Sequence, residues 1–146
     1  QAWSTNLTPD RCAECGVEFA SREELFATSD IVTVHLVLSD RTRGLIGATE
    51  FQMMKPTAYL VNTSRGPIVQ ESALITALQA GAIAGAGLDV FDTEPLPQNH
   101  ALRGLDNAVL TGHTGYVMRE NYITGYRGAV EAINAWLNGE PVRLLN

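Results

Sequence analysis

Short apolar runs and helical stripes alternate along this chain of 146 residues. Residues 2–4 read as the end of a strand, and Thr8 followed by Pro9 reads as a helix start that Gly16 stops. Val17 to Ala20 predicts a short strand. Ser21 and Glu24 form a capping-box pattern for a helix through Leu25 and Phe26. Ile31 to Leu38 is β-branched and apolar nearly throughout, which predicts a strand buried on both faces. Thr49 and Gln52 suggest a second capping box, for a short helix closed by Pro56. Ala58 to Val61 predicts the next strand. Leu74, Ile75 and Leu78 share one side of a helix over 71–80 that Gly81 ends. Ala86 to Val90 and Ala108 to Thr111 predict two more strands. Ile123, Tyr126, Val130, Ile133 and Leu137 line one side of a long helix over 118–137, ended by Asn138, Gly139 and Pro141.

This alternation predicts an α/β fold, a doubly wound parallel sheet with helices on both faces. The length suits one domain, and neither a repeat nor a low-complexity segment interrupts it. The net charge of -6 argues against nucleic acid or an anionic membrane as partner. No apolar run approaches the roughly 20 residues of a membrane span. No signal-peptide pattern is present, so a cytoplasmic location is expected. Cys12 and Cys15 form a C-x-x-C without a second ligand pair, which favours two reduced thiols and no metal site.

The polar residues with chemical potential follow the strands. Asn62-Thr63-Ser64-Arg65-Gly66, Leu88-Asp89-Val90-Phe91, Glu94-Pro95 and His113-Thr114-Gly115-Tyr116 each come after a β-rich run. In an open parallel sheet the carboxyl ends of the strands are where ligands bind. Arg65 is a permanent cation that can fork onto a carboxylate, with Gly66 allowing close approach; a surface ion pair is the alternative. His113 can give and take a proton near neutral pH, or it is a structural histidine. Glu94 can orient an imidazole, or it is a solvated loop acid. Asp89 is a ligand acceptor or a turn-capping carboxylate. His35, late in a strand, is placed near the cofactor pocket or is structural, the latter favoured, while His100, Asp92 and Glu120 read as solvated. Gly81, Gly85 and Gly87 follow a helix and lead into a strand, the reverse of a dinucleotide fingerprint.

The runs Asn62 to Val69 (NTSRGPIV), Gly87 to Pro95 (GLDVFDTEP) and Leu110 to Tyr116 (LTGHTGY) occur in order and well spaced. Together they resemble the D-2-hydroxyacid dehydrogenase family, over nearly the whole chain. The resemblance implies a Rossmann-like NAD(P)-binding domain, truncated at its N-terminus. Residues 1–146 are then its C-terminal portion, without the first strand, the Gly-rich turn and the substrate domain. It implies hydride transfer between NAD(P)H and a small 2-oxo acid or its D-2-hydroxy acid. The implied catalytic residues are Arg65, Glu94 and His113. The implied cofactor contacts are Ser4, Thr63, Ser64, Arg65, Asp89, His113 and Gly115, and the intact enzyme is expected to be a homodimer.

After residues 2–4, Ser4, Thr5 and Asn6 stand where NAD-specific sites place an acid, and Arg11 follows, which leans toward NADP or dual use. Two positions depart from the family: Gly112 replaces a usual proline, which loosens that loop, and Gln70 replaces a common acid at a helix start. A nucleotide-sensing corepressor-like module on the same fold and an inert fragment are the competing readings.

Overall fold

The computed structural model describes residues 1–145. The chain forms two compact units, Gln1–His113 and the segment from Thr114 onward.

The first unit is built on four parallel strands in the order β1 (Ile31–Val34), β2 (Tyr59–Asn62), β3 (Gly85–Leu88) and β4 (Ala108–Leu110). Its helices are α1 (Pro9–Glu14), α2 (Arg22–Thr28), α3 (Ala48–Met53) and α4 (Glu71–Gln79). Thr8 caps α1, with its hydroxyl accepting from the Arg11 N–H, and Ser21 and Glu24 complete the capping box of α2. Helices α2, α3 and α4 pack in succession. Their apolar sides meet the sheet through Phe26, Phe51, Leu74 and Leu78, against Val32, Val34, Leu60 and Leu88. Leu60, Ile68 and Ile83 are wholly buried, each contributing about 1.5–3 kcal/mol over the exposed state.

Three local expectations change. The strand expected over Ile31 to Leu38 ends at Val34, and its two faces differ. Val32 and Val34 are buried under the helices, whereas Ile31 is 63% exposed on the opposite face. Val17 to Ala20 makes only a single parallel bridge, between Phe19 and Ala2. The short helix α3 is capped by Gly47 and not Thr49, because Glu50 turns back to accept the Gly47 N–H at 2.7 Å. Glu50 is buried and also receives Arg22 at 2.7 Å, so its charge is compensated.

Ala2 is bonded on one side to the segment around Phe19. A groove of about 420 Å3 is lined by Ala2, Trp3 and Ser4 together with the residues of β1.

The second unit carries α5 (Arg119–Leu137), ended by Gly139 in the left-handed region at φ +80°. The expected apolar stripe lies along this helix, but none of its residues is buried; Tyr126, Val130, Ile133 and Leu137 are exposed. Arg143 folds back onto Glu131 at 2.7 Å. Among the described residues no helix is long and apolar enough to cross a membrane, and no cluster of potential metal ligands occurs.

Candidate active site

The strand register brings the motifs to one edge. Asn62 pairs with Leu88, and Leu88 with Leu110, so β2, β3 and β4 end level. The loops that follow, carrying Arg65, Asp89 to Glu94 and His113, therefore leave from the same side of the sheet.

The Arg65 loop is shaped by Asn62, which is 1% exposed. Its Oδ1 accepts the Ser64 N–H at 3.0 Å and its Nδ2 donates to the Arg65 carbonyl at 3.0 Å. The Ser64 hydroxyl donates to the Leu36 carbonyl at 2.9 Å. The Ser64 N–H is thus used to hold the turn. Thr63 and Arg65 are exposed, and one Arg65 N–H donates to the Ser64 carbonyl at 2.6 Å. Gly66 is buried against backbone: a Cβ there would meet the Phe91 carbonyl carbon at 2.1 Å. The close approach expected of Gly66 is therefore made to the Phe91–Asp92 backbone. That contact sets the arginine loop against the loop bearing Glu94.

Glu94 uses both carboxylate oxygens. Oε1 accepts the Phe91 N–H at 2.9 Å and Oε2 faces His113 Nδ1 at 2.7 Å. Both side chains are about one-third exposed, at 35% and 37%. Partial burial by itself raises the Glu94 carboxyl. The hydrogen bonds from His113 and Phe91 and the charges of His113 and Arg65 outweigh it, holding Glu94 below its ordinary value of 4.5. Arg65 thus acts electrostatically on the acid that holds the imidazole. His113 sits at φ +57°, a left-handed conformation costing a non-glycine residue on the order of 1–3 kcal/mol. A hollow of about 430 Å3 adjoins the pair, lined among others by Phe91, Leu96, Arg103 and Gly112.

The depressed Glu94 value has a consequence in acid. A carboxyl whose folded value lies below its unfolded one stabilises the fold above the unfolded value, and that stability is lost as pH falls through the folded value. Glu24, lowered by its capping bonds to Ser21, acts in the same direction. Asp92, raised by burial and by Glu71, acts in the opposite one. The expected result is a loss of stability below about pH 4.5, shallower in Glu94→Gln, measured as urea midpoints against pH. An identical acid slope in that variant contradicts the assignment.

Asp89 is buried at the end of β3, and its Oδ1 accepts the Thr111 hydroxyl. Ser4 is half-buried and borders the groove beside β1. Gly115 belongs to the second unit. Arg11 is exposed and paired with Glu14 at 2.6 Å. His35 is exposed, its Nε2 3.0 Å from the Thr33 hydroxyl. Asp92 is exposed, as expected, and so is Glu120. Cys12 is buried and Cys15 exposed, with no disulfide between them.

His100 departs from its expected solvated state. It is half-buried, with Nε2 3.0 Å from Glu71 and Nδ1 accepting the Leu102 N–H, so it caps the 3-10 turn Ala101–Gly104. Gln70 does more than start a helix: its amide donates to the Gly44 carbonyl at 2.9 Å and makes no cap bond to α4.

Asn62 and Thr111 went unassigned in the sequence. The one available signal was a polar residue closing each apolar strand run, Tyr-Leu-Val-Asn and Ala-Val-Leu-Thr. Asn62→Leu is expected to lower the unfolding free energy by about 1–3 kcal/mol, because it orphans two backbone groups; urea denaturation measures this.

Comparison with known proteins matches residues 1–115 to the family described as D-isomer specific 2-hydroxyacid dehydrogenase, NAD binding domain. A glyoxylate reductase of Aeropyrum pernix is 46% identical over 134 residues, 91% of this chain and 40% of that protein. A glyoxylate reductase/hydroxypyruvate reductase of Homo sapiens is 42% identical, covering 92% of this chain and 41% of that protein. The crystal structure of an oxidoreductase from Ralstonia solanacearum superposes with a TM-score of 0.91 at 39% identity, over 99% of this chain and 42% of that one. The chain spans about 40% of the length of such relatives. With its parallel Rossmann-like sheet and its match across residues 1–115, the chain belongs to the D-isomer specific 2-hydroxyacid dehydrogenase family, in the NAD-binding domain.

Proposed function

We propose that the intact protein is an NAD(P)-dependent oxidoreductase that interconverts a small 2-oxo acid and its D-2-hydroxy acid. The observation that carries this reading is the 2.7 Å contact of Glu94 with His113, at the sheet edge where the charge of Arg65 also acts on Glu94.

The residues at this edge fit a nicotinamide nucleotide. Asp89 ends β3 with a buried carboxylate suited to accept from a carboxamide, and Ser4 closes residues 2–4 without an acid that repels phosphate. When bound, the nicotinamide supplies or takes up the hydride. The protein's share is orientation and proton transfer. Arg65 holds the substrate carboxylate with paired N–H donors. With Nδ1 on Glu94, His113 passes a proton from Nε2 to the carbonyl oxygen during reduction and takes it back during oxidation. Glu94 keeps the ring oriented and offsets its positive charge. Thr63, Ser64 and Gly115 complete the proposed cofactor contacts, of which Ser64 contributes by shaping the turn.

We read residues 1–146 as the C-terminal portion of the NAD(P)-binding domain. The groove lined by Ala2–Ser4 and β1 supports this reading, since one further strand with its Gly-rich turn would fill it. Titrating NADH and NADPH onto this chain and onto the intact protein tests this reading: comparable binding by both contradicts it. The absence of an acid after residues 2–4 favours NADP or dual use, with Arg11 shared between the phosphate and Glu14. The family resemblance carries the further reading of a homodimer, and a cytoplasmic location stays part of the proposal.

The deciding experiment is reduction of glyoxylate, hydroxypyruvate and pyruvate by the intact protein with either nucleotide. Failure to oxidise NADH or NADPH with any 2-oxo acid ends the reading and favours the nucleotide-sensing module. Arg65→Lys is expected to raise KM about tenfold or more, since an ammonium cannot reproduce a forked bond worth about 1.5–3 kcal/mol. An unchanged KM removes Arg65 from the substrate.

A further inference from the structure

Arg103 lies in the 3-10 turn Ala101–Gly104, outside every motif that relates this chain to its family. Its Nε donates to the Pro97 carbonyl at 2.9 Å and its Nη2 to the Leu96 carbonyl at 2.8 Å. Two adjacent carbonyls, two and three residues past Glu94, are thus gripped by one planar guanidinium, whose geometry loses little on forming both bonds. The base of this grip is rigid. Leu102 is 1% exposed, and His100 caps the turn while bonding Glu71 of α4 at 3.0 Å.

The gripped loop needs an outside hold. Residues 92–95 are exposed, and the apolar anchors on either side are Phe91 and Leu96. Glu94 must present one oxygen to Phe91 N–H and the other to His113, so a small loop shift breaks the second contact. Arg103 and the Glu94–His113 pair line the same hollow of about 430 Å3. The charges that act on Glu94 are those of His113 and Arg65, so Arg103 reaches it through the backbone and not by direct attraction.

We propose that Arg103 is a positioning residue, a two-carbonyl clamp on the Glu94–Pro97 loop that holds the Glu94 carboxylate against His113. The proposal rests on the reading of Glu94 and His113 as an acid/base pair, but its test does not require turnover.

The intact protein is labelled with 13C at glutamate carboxyls, and the Glu94 signal is identified by its loss in Glu94→Gln. Its titration midpoint is then compared in wild type, His113→Ala and Arg103→Met. Methionine keeps a long apolar stem and removes all donors. The expected result is an upward shift in Arg103→Met of at least half the interval separating wild type from His113→Ala. Arg103→Lys, which restores a donor, returns part of that shift. In kinetics, kcat falls more than KM rises. An Arg103→Met midpoint equal to wild type in a folded protein overturns the clamp. Should that variant not fold, Arg103→Gln is read by the same criterion, and unfolding of both also overturns it, since the role is then general packing. If no 2-oxo acid is reduced yet the midpoint moves, the clamp stands and the dehydrogenase reading fails.

Discussion

With alanine in place of His113, the intact protein is expected, on the proposed function, to turn over about 10²–10⁴-fold more slowly, the range general acid–base groups contribute. Carbonyl reduction adds a hydride to carbon and a proton to oxygen, and the proton donor must sit within hydrogen-bond reach of that oxygen. Glu94 fixes one nitrogen of His113 at 2.7 Å, and the proposed proton transfer is assigned to the other nitrogen, Nε2. On that reading, removal of the ring deletes the proposed proton donor and leaves the proposed Arg65 contact to the carboxylate, so the loss falls on kcat and KM stays nearly constant. Glu94→Gln keeps a hydrogen-bonding side chain but removes the charge, so its loss is smaller and in the same parameter. Steady-state kinetics of the two variants checks both statements. Unchanged turnover in His113→Ala removes the histidine from the chemistry.

Gly66→Ala is expected to produce the second large effect, at a residue that does no chemistry. The added methyl meets Phe91 backbone at 2.1 and 2.2 Å and the Asp92 nitrogen at 2.6 Å. No flexible side-chain end can yield there, so one of two backbone segments must move. Overpacking of this kind costs about 1–3 kcal/mol and at times more. The movement also separates the loop bearing Arg65 from the loop bearing Glu94. Thermal unfolding and kcat/KM are expected to fall together. Gly104→Ala is the control, since nothing lies within 4 Å of its added carbon. Equal stability of the two variants contradicts the steric account.

Much of the fold is legible locally. Thr8, Ser21 and Glu24 mark two helix starts through bonds to backbone only three residues away, and no distant contact is needed to read them. The helix of 71–80 and the long helix over 118–137 follow from apolar spacing, and both occur within a residue or two of those limits. The runs of β1 to β4 are legible for a like reason, whereas Val17 to Ala20 makes only a bridge. Arg65, Glu94 and His113 draw notice as reactive groups that follow strands, although the Glu94–His113 contact and the arrival of the Arg65 loop at the same edge depend on the level register of three strands distant in sequence.

Other features have no local trace. Ile31 and Val32 are both β-branched, and only the placement of the helices decides that one is exposed and the other buried. His100 lies among polar residues, and nothing nearby announces Glu71, 29 positions earlier, as its partner. Gly66 looks permissive toward a ligand, whereas its missing side chain makes room for Phe91. The chain by itself determined the kinds of element, their order and the reactive groups that end the strands, because periodicity, capping and pKa class are properties of neighbours in sequence. Tertiary structure alone decided which backbone each loop leans on, which face of β1 is covered and that Glu71 holds His100. Those are contacts between segments tens of residues apart, and their energies exist only once the sheet has brought the segments side by side.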